Sequence, residues 1–194
     1  MKRFLSLLLI GVMCLFMFSC GEDEVPDGMK LASDTDVVDY KLFVPESWVV
    51  STAERATTQA YVSNSDRTNI TVMQWNVTET TKTVKDWWEN EYKPQVFTSG
   101  AVKEYTITKN KDGTEGAKTT LDGRAATKYV YTGKIGDSFF RYEIIACVTQ
   151  GSIYVVQVTY MQDKQENKDD KVTYSTVETH KEAIASIIEN FRFE

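Results

Sequence analysis

Two segments of alternating apolar residues, joined at Gln150-Gly151, constrain the fold more than any other part of the chain. They cover residues 139–149 and 152–161. An alternation of period two is typical of β-strands, and a two-residue loop that contains glycine suits the positive φ angles of a tight hairpin turn. The sequence therefore predicts an antiparallel hairpin at the centre of the fold.

The apolar residues of this hairpin predict a broad buried face that a helix can cover. We expect the two strands to contribute neighbouring side chains to the same face. The expected members are Phe140, Tyr142, Ile144, Ala146 and Val148 from the first strand and Tyr154, Val156, Val158 and Tyr160 from the second.

Further strands are predicted because short β-branched and aromatic runs lie between turn signals. Asp122-Gly123 is a second hairpin turn of the same kind. In the segment 69–77, Met73 and Trp75 point to one face of the strand and Ile70 points to the other. The remaining predicted strands cover residues 40–44, 59–62, 102–108, 118–121 and 125–132.

Two helices are predicted. The first begins at Thr83 and ends before Pro94, whose ring disfavours a helical conformation in the preceding residue. The second closes the chain, with a capping box made by Ser175 and Glu178. Its apolar stripe consists of Val177, Ile184, Ile187, Ile188 and Phe191. The charged stretch 162–174 before it is predicted to be a solvated loop.

These patterns together predict an α+β fold, in which a central antiparallel β-sheet is flanked by helices as an α-β-α sandwich.

The first nineteen residues are predicted to be a signal peptide. Lys2 and Arg3 precede an apolar run, 4–18, that is shorter than the roughly 20 residues of a membrane-spanning helix. Ser19-Cys20-Gly21 resembles a lipoprotein processing site, so Cys20 is the predicted site of lipid attachment. The alternative is ordinary cleavage and free secretion, which would leave Cys20 as an unpaired thiol.

Lipid attachment would hold the protein at the extracytoplasmic face of a membrane, because a diacylglyceryl group supplies the two chains that stable anchoring needs. Residues 20–39 are acidic and lack periodicity, and we interpret them as a flexible tether before a folded domain at 40–194. Loss of Lys2 and Arg3 lowers the net charge from −6 to −8. Nucleic acid and anionic membrane surfaces are therefore not expected as direct partners.

Catalytic and metal-binding chemistry is not expected. The chain has one histidine, His180, and nucleophilic catalysis needs a base beside the nucleophile. Cys147 shares a strand face with Ile145, which predicts a buried and unreactive thiol. The calcium loop that Asp34 and Asp36 begin lacks the glycine and the glutamate of later positions. We therefore predict no enzyme activity, no cofactor and no metal.

Trp87, Trp88 and Tyr92 form the candidate binding patch. Adjacent helical residues lie about 100° apart, so two neighbouring tryptophans are hard to bury on one face of a surface helix. We expect one of them to face outward. It would either lie across the rim of the core or serve as an exposed aromatic anchor for a protein partner or a sugar ring.

Four segments resemble, in order, the PsbP-like family, which shares its fold with the Mog and DcrB proteins. They are 40–48, 121–131 with Asp122-Gly123, 151–159, and 187–193 with Phe191 and Phe193. They span nearly the whole predicted domain, and the resemblance implies an antiparallel sheet between helices. Nothing in the sequence matches the metal role of a photosystem subunit, so no photosynthetic function is carried over.

The resulting hypothesis is a lipid-anchored, extracytoplasmic binding or assembly module of the cell envelope. Its partners would be the membrane, through the lipid on Cys20, and an envelope protein complex. The alternative is a small-solute or sugar-binding lipoprotein that uses the aromatic residues near Trp87 and Trp88. A concave pocket beside that helix would favour solute binding, and a flat surface would favour protein binding.

Overall fold

The structure, a computed structural model, describes residues 24–53, 57–63, 67–166, 172–176 and 179–194. Within them the protein consists mostly of β-structure, with one large antiparallel sheet, two small two-stranded sheets and two helical segments. No helix in these ranges is long and apolar enough to cross a membrane. The predicted signal peptide and Cys20 lie outside the described residues.

The strands, in chain order, are β1 (Met29–Leu31), β2 (Tyr40–Lys41), β3 (Phe43–Pro45), β4 (Val49–Ala53), β5 (Thr57–Tyr61), β6 (Asn69–Asn76), β7 (Lys103–Ile107), β8 (Ala117–Leu121), β9 (Arg124–Ile135), β10 (Ser138–Thr149), β11 (Ser152–Glu166), β12 (Val172–Thr176) and β13 (Arg192–Phe193).

The large sheet contains nine of these strands. Its main path runs β4, β5, β6, β11, β10, β9 and β7, with antiparallel pairing throughout. β12 pairs with the far end of β11, and β8 pairs with the part of β9 that β7 leaves free. The predicted hairpin of β10 and β11 therefore lies inside the sheet, with partners on both sides.

The hairpin turn sets the register of β10 and β11. Gln150 and Gly151 have φ angles of 51° and 76°, as a two-residue turn of this kind requires. Thr149 therefore pairs with Ser152, and every later pair joins an odd-numbered residue to an even-numbered one. Because directly paired residues point to the same side of a sheet, odd residues of β10 share a face with even residues of β11.

This register corrects the predicted buried face. Ile145 pairs with Val156, whereas Ile144 pairs with Gln157 on the opposite side of the sheet. The two predicted sets of apolar residues therefore lie on different faces. Val148, expected in the core, is 39% exposed near the turn.

Each face of the large sheet carries its own core. The first face contains Ile145, Cys147, Val156 and Val158 and packs against helix α2 (Lys181–Glu189) through Ile187. The two small sheets, β1 with β3 and β2 with β13, supply further members of this core. The second face packs against the helical segment 84–98, and its members include Tyr129, Tyr131, Ile144, Ile153 and Val155.

Helix α1 (Val84–Trp87) begins where it was predicted. Thr83 and Asp86 form a capping box, in which each side chain accepts the backbone N–H of the other residue at 3.1 Å. The predicted end before Pro94 is wrong. The helix continues with the wider π-helical turns Trp88–Tyr92 and Pro94–Thr98. Lys93, the residue before Pro94, is itself helical, with φ −56° and ψ −47°.

The second helix begins later than predicted. Helix α2 starts at Lys181, with His180 as its N-cap residue, whereas Ser175 lies in β12 opposite Asp163. The predicted capping box is therefore wrong, and its partner Glu178 lies outside the described residues. The stretch 162–174, predicted to be a loop, contributes its two ends to paired strands β11 and β12.

The folded domain also begins earlier than predicted. Residues 29–31, part of the predicted tether 20–39, form β1 and pair with β3. Ala32 and Val38 are buried in the core of the first face, and the Ser33 hydroxyl accepts the Leu42 N–H at 3.0 Å. These contacts correct the boundary at residue 40. The Gly28 carbonyl also accepts the Glu46 N–H at 3.1 Å, so the flexible tether remains a prediction for residues 20–27.

Candidate functional site

The predicted aromatic patch is not a surface patch. Trp87 and Trp88 are fully buried, and Tyr92 is 5% exposed. The Trp87 ring lies 5.2 Å from the ring of Trp75, and the Trp88 ring stacks on Tyr129 at 4.1 Å. The expectation that one tryptophan faces outward is therefore wrong.

The width of the sheet explains why both indoles are buried. Trp87 reaches toward β6, through Trp75, while Trp88 reaches toward β9, through Tyr129. β11 and β10 lie between those two strands, so side chains that leave the helix about 100° apart both meet the sheet. The Trp88 indole N–H donates to Glu115 at 2.8 Å, which joins the segment 109–116 to the helix.

The second face of the sheet extends beyond the helical segment, and its side chains there are polar. One row across β5, β6 and β11 consists of Gln59, Thr71 and Gln157. The neighbouring row, which continues onto β10, consists of Tyr61, Asn69, Thr159 and Tyr142. Together with Ser63, Arg67, Ile135 and Phe140, these residues line an open groove of about 470 Å³, called here the polar groove.

The polar groove offers hydrogen-bonding groups and aromatic rings. Arg67 is the one charged residue among its described lining residues, and its guanidinium donates to the Ser138 hydroxyl at 3.2 Å. Burial raises the pKa of Tyr142 to about 12, so that its hydroxyl stays neutral at physiological pH. Amide and hydroxyl groups beside aromatic rings are typical of sites for polar solutes.

Tyr92 connects the buried aromatic core to the polar groove. Its hydroxyl donates to the side-chain oxygen of Gln157 at 2.8 Å, and it lies 2.8 Å from the Tyr131 hydroxyl. Because Tyr92 uses its proton on Gln157, Tyr131 donates to Tyr92. This series of hydrogen bonds uses the amide oxygen of Gln157, and the NH₂ group of the same side chain is left as a donor on the groove side. Tyr92, a member of the predicted patch, thus fixes the side-chain oxygen of Gln157, a residue that lines the groove.

The other chemically active side chains lie elsewhere. Cys147 is fully buried on the first face, as predicted, and burial raises the pKa of its thiol to about 11. His180 occupies the N-cap position of α2, and its ring lies 6.4 Å from that of Trp48. The described part of the chain contains no group of three or more His, Cys, Asp or Glu residues that could hold a metal. The described residues that line the groove include no histidine, cysteine, aspartate or glutamate.

The sequence contains a signal for this groove that alternation within a single strand does not reveal. Along the same face of β6, the side chains change from Trp75 and Met73 to Thr71 and Asn69. Along the same face of β11, they change in the matching direction, from Ile153 and Val155 to Gln157 and Thr159. A change of polarity at the same rows of two paired strands marks the point where the covering helix ends.

Comparisons with solved structures identify the fold. Cyanobacterial PsbP (CyanoP) from Synechocystis sp. PCC 6803 matches with a TM-score of 0.53 at 15% identity, over 91% of this chain and 98% of that chain. A protein from Bacteroides thetaiotaomicron VPI-5482 matches with a TM-score of 0.52 at 7% identity over 87% of this chain, which spans about half (49%) of that protein.

LpqN of Mycobacterium tuberculosis, described as involved in cell envelope biogenesis, matches with a TM-score of 0.47 at 14% identity, over 78% of this chain and 81% of that chain. No protein-family model and no curated protein matches the sequence. The protein has a PsbP-like fold, as the order of its sequence segments predicted.

Proposed function

We propose that the protein is a lipid-anchored, extracytoplasmic binding module of the cell envelope that holds a polar solute in the polar groove and has no catalytic activity. The observation that supports this proposal is the polar groove. Two adjacent rows of a sheet face are polar where the covering helix ends, and they line an open groove of about 470 Å³. A groove favours solute binding over docking of a protein at this site.

The solute that fits is rich in hydroxyl groups, as a sugar is. Gln59, Asn69 and Gln157 supply amide groups, which can donate and accept hydrogen bonds. The rings of Phe140 and Tyr142 supply an apolar surface for the carbon face of a sugar ring. The open shape of the groove suits part of a longer chain as well as a single ring.

Calorimetric titration with a panel of neutral mono- and oligosaccharides tests the groove. At least one should bind, and Gln157→Leu should weaken its binding about tenfold because a donor is lost. Gln95→Leu makes the same chemical change at an exposed position of the helical segment and should bind as the wild type does. Absence of binding to every sugar, or equal affinity of the two variants, would contradict the proposal.

Lipid attachment at Cys20 is supported by the Ser19-Cys20-Gly21 motif after an apolar run. Cys20→Ala should release the protein from the membrane fraction, whereas Cys147→Ala should leave it there. Membrane association of the Cys20→Ala variant would overturn the anchor, without bearing on the groove.

A second candidate function is docking of an envelope protein along β7. This outer strand pairs with β9 on one side, and residues 103–106 are exposed. Tyr105, which is 46% exposed, stacks on Phe97 at 4.2 Å and presents an aromatic ring to a partner. If this surface binds a protein, Tyr105→Ser should abolish a specific co-purification from native membranes that the intact lipoprotein supports.

A further inference from the structure

We propose that a second pocket, on the first face of the sheet, binds a single free amphiphile that carries an anionic group, such as a fatty acid. This amphiphile pocket lies between α2 and the strands β9, β10 and β11, on the opposite side of the sheet from the polar groove. Its volume is about 380 Å³. It is independent of the proposed solute site, because the two pockets share no lining residue.

The amphiphile pocket has one apolar wall and one charged wall. Ile184, Ala185 and Ile188 form the apolar wall, all on one side of α2. The charged wall is formed by side chains of the sheet, namely Lys128, Arg141 and Glu143, with Tyr160 beside them and Lys181 at the start of the helix.

The charged wall contains more positive than negative charge. The Glu143 carboxylate, 17% exposed, pairs with Lys128 at 2.5 Å and with Arg141 at 3.0 Å. Burial acts to raise the pKa of Glu143, but the hydrogen bonds and charges of Lys128 and Arg141 lower it overall, so the carboxyl stays ionised. Two cations on one carboxylate leave a net charge of +1.

A second anion can bind beside Glu143. Arg141 uses Nε and one terminal nitrogen on Glu143, and a guanidinium group has further N–H donors on its other terminal nitrogen. The side chains of Lys128 and Arg141 are 36% and 35% exposed, so both are accessible from solvent.

The apolar wall makes an amphiphile a better ligand than an inorganic anion. Ile184 and Ile188 lie next to the cations, so one molecule can place its charged group on Arg141 and its alkyl chain along the helix. The protein is acidic overall, but its long-range repulsion of anions is screened beyond about 8 to 10 Å at physiological salt. The local charge therefore decides the binding of one small molecule, while the net charge still disfavours an anionic membrane surface.

Calorimetric titration with decanoate, and with 1-decanol as the neutral probe of equal chain length, tests this proposal. Decanoate should bind about tenfold more tightly than decanol, and its affinity should fall between about 50 mM and about 500 mM salt. Protein without the lipid should not sediment with phosphatidylglycerol vesicles. Failure to bind decanoate, or binding to the vesicles alone, would overturn the proposal.

Three variants separate binding from a structural role. Arg141→Gln should weaken decanoate binding, and Ile188→Ser should weaken the binding of both probes. Glu143→Gln should strengthen decanoate binding several-fold, because it frees both cations for the ligand, whereas loss of a merely structural ion pair would not improve affinity. If Arg141→Gln does not fold, as circular dichroism would reveal, the Glu143→Gln result decides. Weaker or unchanged binding by a folded Glu143→Gln variant contradicts the proposal.

Discussion

The hydroxyl group of Tyr92 donates a hydrogen bond of 2.8 Å to the side-chain oxygen of Gln157 and so joins the buried aromatic core to the polar groove. The Tyr131 hydroxyl completes this chain from the core side, also at 2.8 Å. An amide group held in this way presents its nitrogen to a ligand without first having to reorient.

Replacement of Tyr92 by phenylalanine should therefore reduce solute affinity in the polar groove. We expect a loss of about threefold to tenfold, because Gln157 becomes free to rotate, and a loss of about 1 to 2 kcal/mol in unfolding free energy. Tyr105→Phe removes an exposed hydroxyl and should change neither quantity. Calorimetric titration and urea denaturation measure the two effects, and unchanged affinity in the Tyr92→Phe variant would refute the positioning role.

The two neighbouring tryptophans should respond differently to the same substitution. Trp88 donates to Glu115 at 2.8 Å, and Glu115 also pairs with Lys93 at 2.8 Å. The indole N–H of Trp87 is buried and has no acceptor among the described residues. Trp88→Phe loses a hydrogen bond to a charged group, whereas Trp87→Phe removes a buried donor that had no partner.

Trp88→Phe should consequently be more destabilising than Trp87→Phe by about 1 to 3 kcal/mol. Both substitutions remove the same volume, so each serves as the control for the other. Urea denaturation of the two variants measures the difference. Equal losses of unfolding free energy would mean that the contact between Trp88 and Glu115 contributes nothing to stability.

Helix α2 should contribute to stability through its buried side. Ile187 is fully buried in the core of the first face, and Ile187→Ala should cost about 2 to 5 kcal/mol. Glu189→Ala changes an exposed residue of the same helix and should alter stability by less than about 0.5 kcal/mol. Thermal or urea denaturation compares them, and similar losses from the two variants would contradict the assignment of the buried stripe.

The thiol of Cys147 should be unreactive in the folded protein. It is fully buried, so a thiol reagent should label it only after denaturant is added. Rapid labelling in buffer alone would show that the strand opens readily or that the thiol is accessible.

Alkaline pH should destabilise the protein, partly through the same thiol. Burial raises the pKa of Cys147 from 9.0 to about 11, so the unfolded chain loses this proton at a lower pH than the folded protein. The stabilising contribution is complete below about pH 9 and is lost as the pH rises through about 11. Between pH 9 and 11, the unfolding free energy obtained from urea denaturation should therefore fall less steeply with pH for Cys147→Ala than for the wild type. Parallel curves would contradict the shifted pKa.

The strands were largely predictable, because alternation and turn residues are local properties. Gln150-Gly151 and Asp122-Gly123 both adopt the predicted positive φ angles. The predicted turn also implied the correct pairing register of β10 and β11. A two-residue loop pairs Thr149 with Ser152 and so places Ile144 and Val156 on opposite faces. The expectation of one shared face overlooked a consequence of the turn that the sequence itself predicted.

The polar groove was only partly predictable. The change from Val155 to Gln157 along one face of β11 is visible in the sequence, and so is the change from Met73 to Thr71 in β6. Their alignment in adjacent rows depends on the pairing of β6 with β11, which are separated by about half of the domain in sequence. Long-range pairing of this kind has no local signal when the connection is not a hairpin.

The sequence by itself determined most strands of the large sheet, though not β12, together with their two tight turns and the start of α1, because each depends on residues that are neighbours in the chain. Only the tertiary structure decided that Trp87 and Trp88 are both buried and that residues 29–39 belong to the domain. Burial depends on what lies opposite a side chain. The sheet is wide enough to cover side chains that leave the helix in two directions, so both tryptophans belong to the core. The polar rows of the sheet beyond that helix remain uncovered.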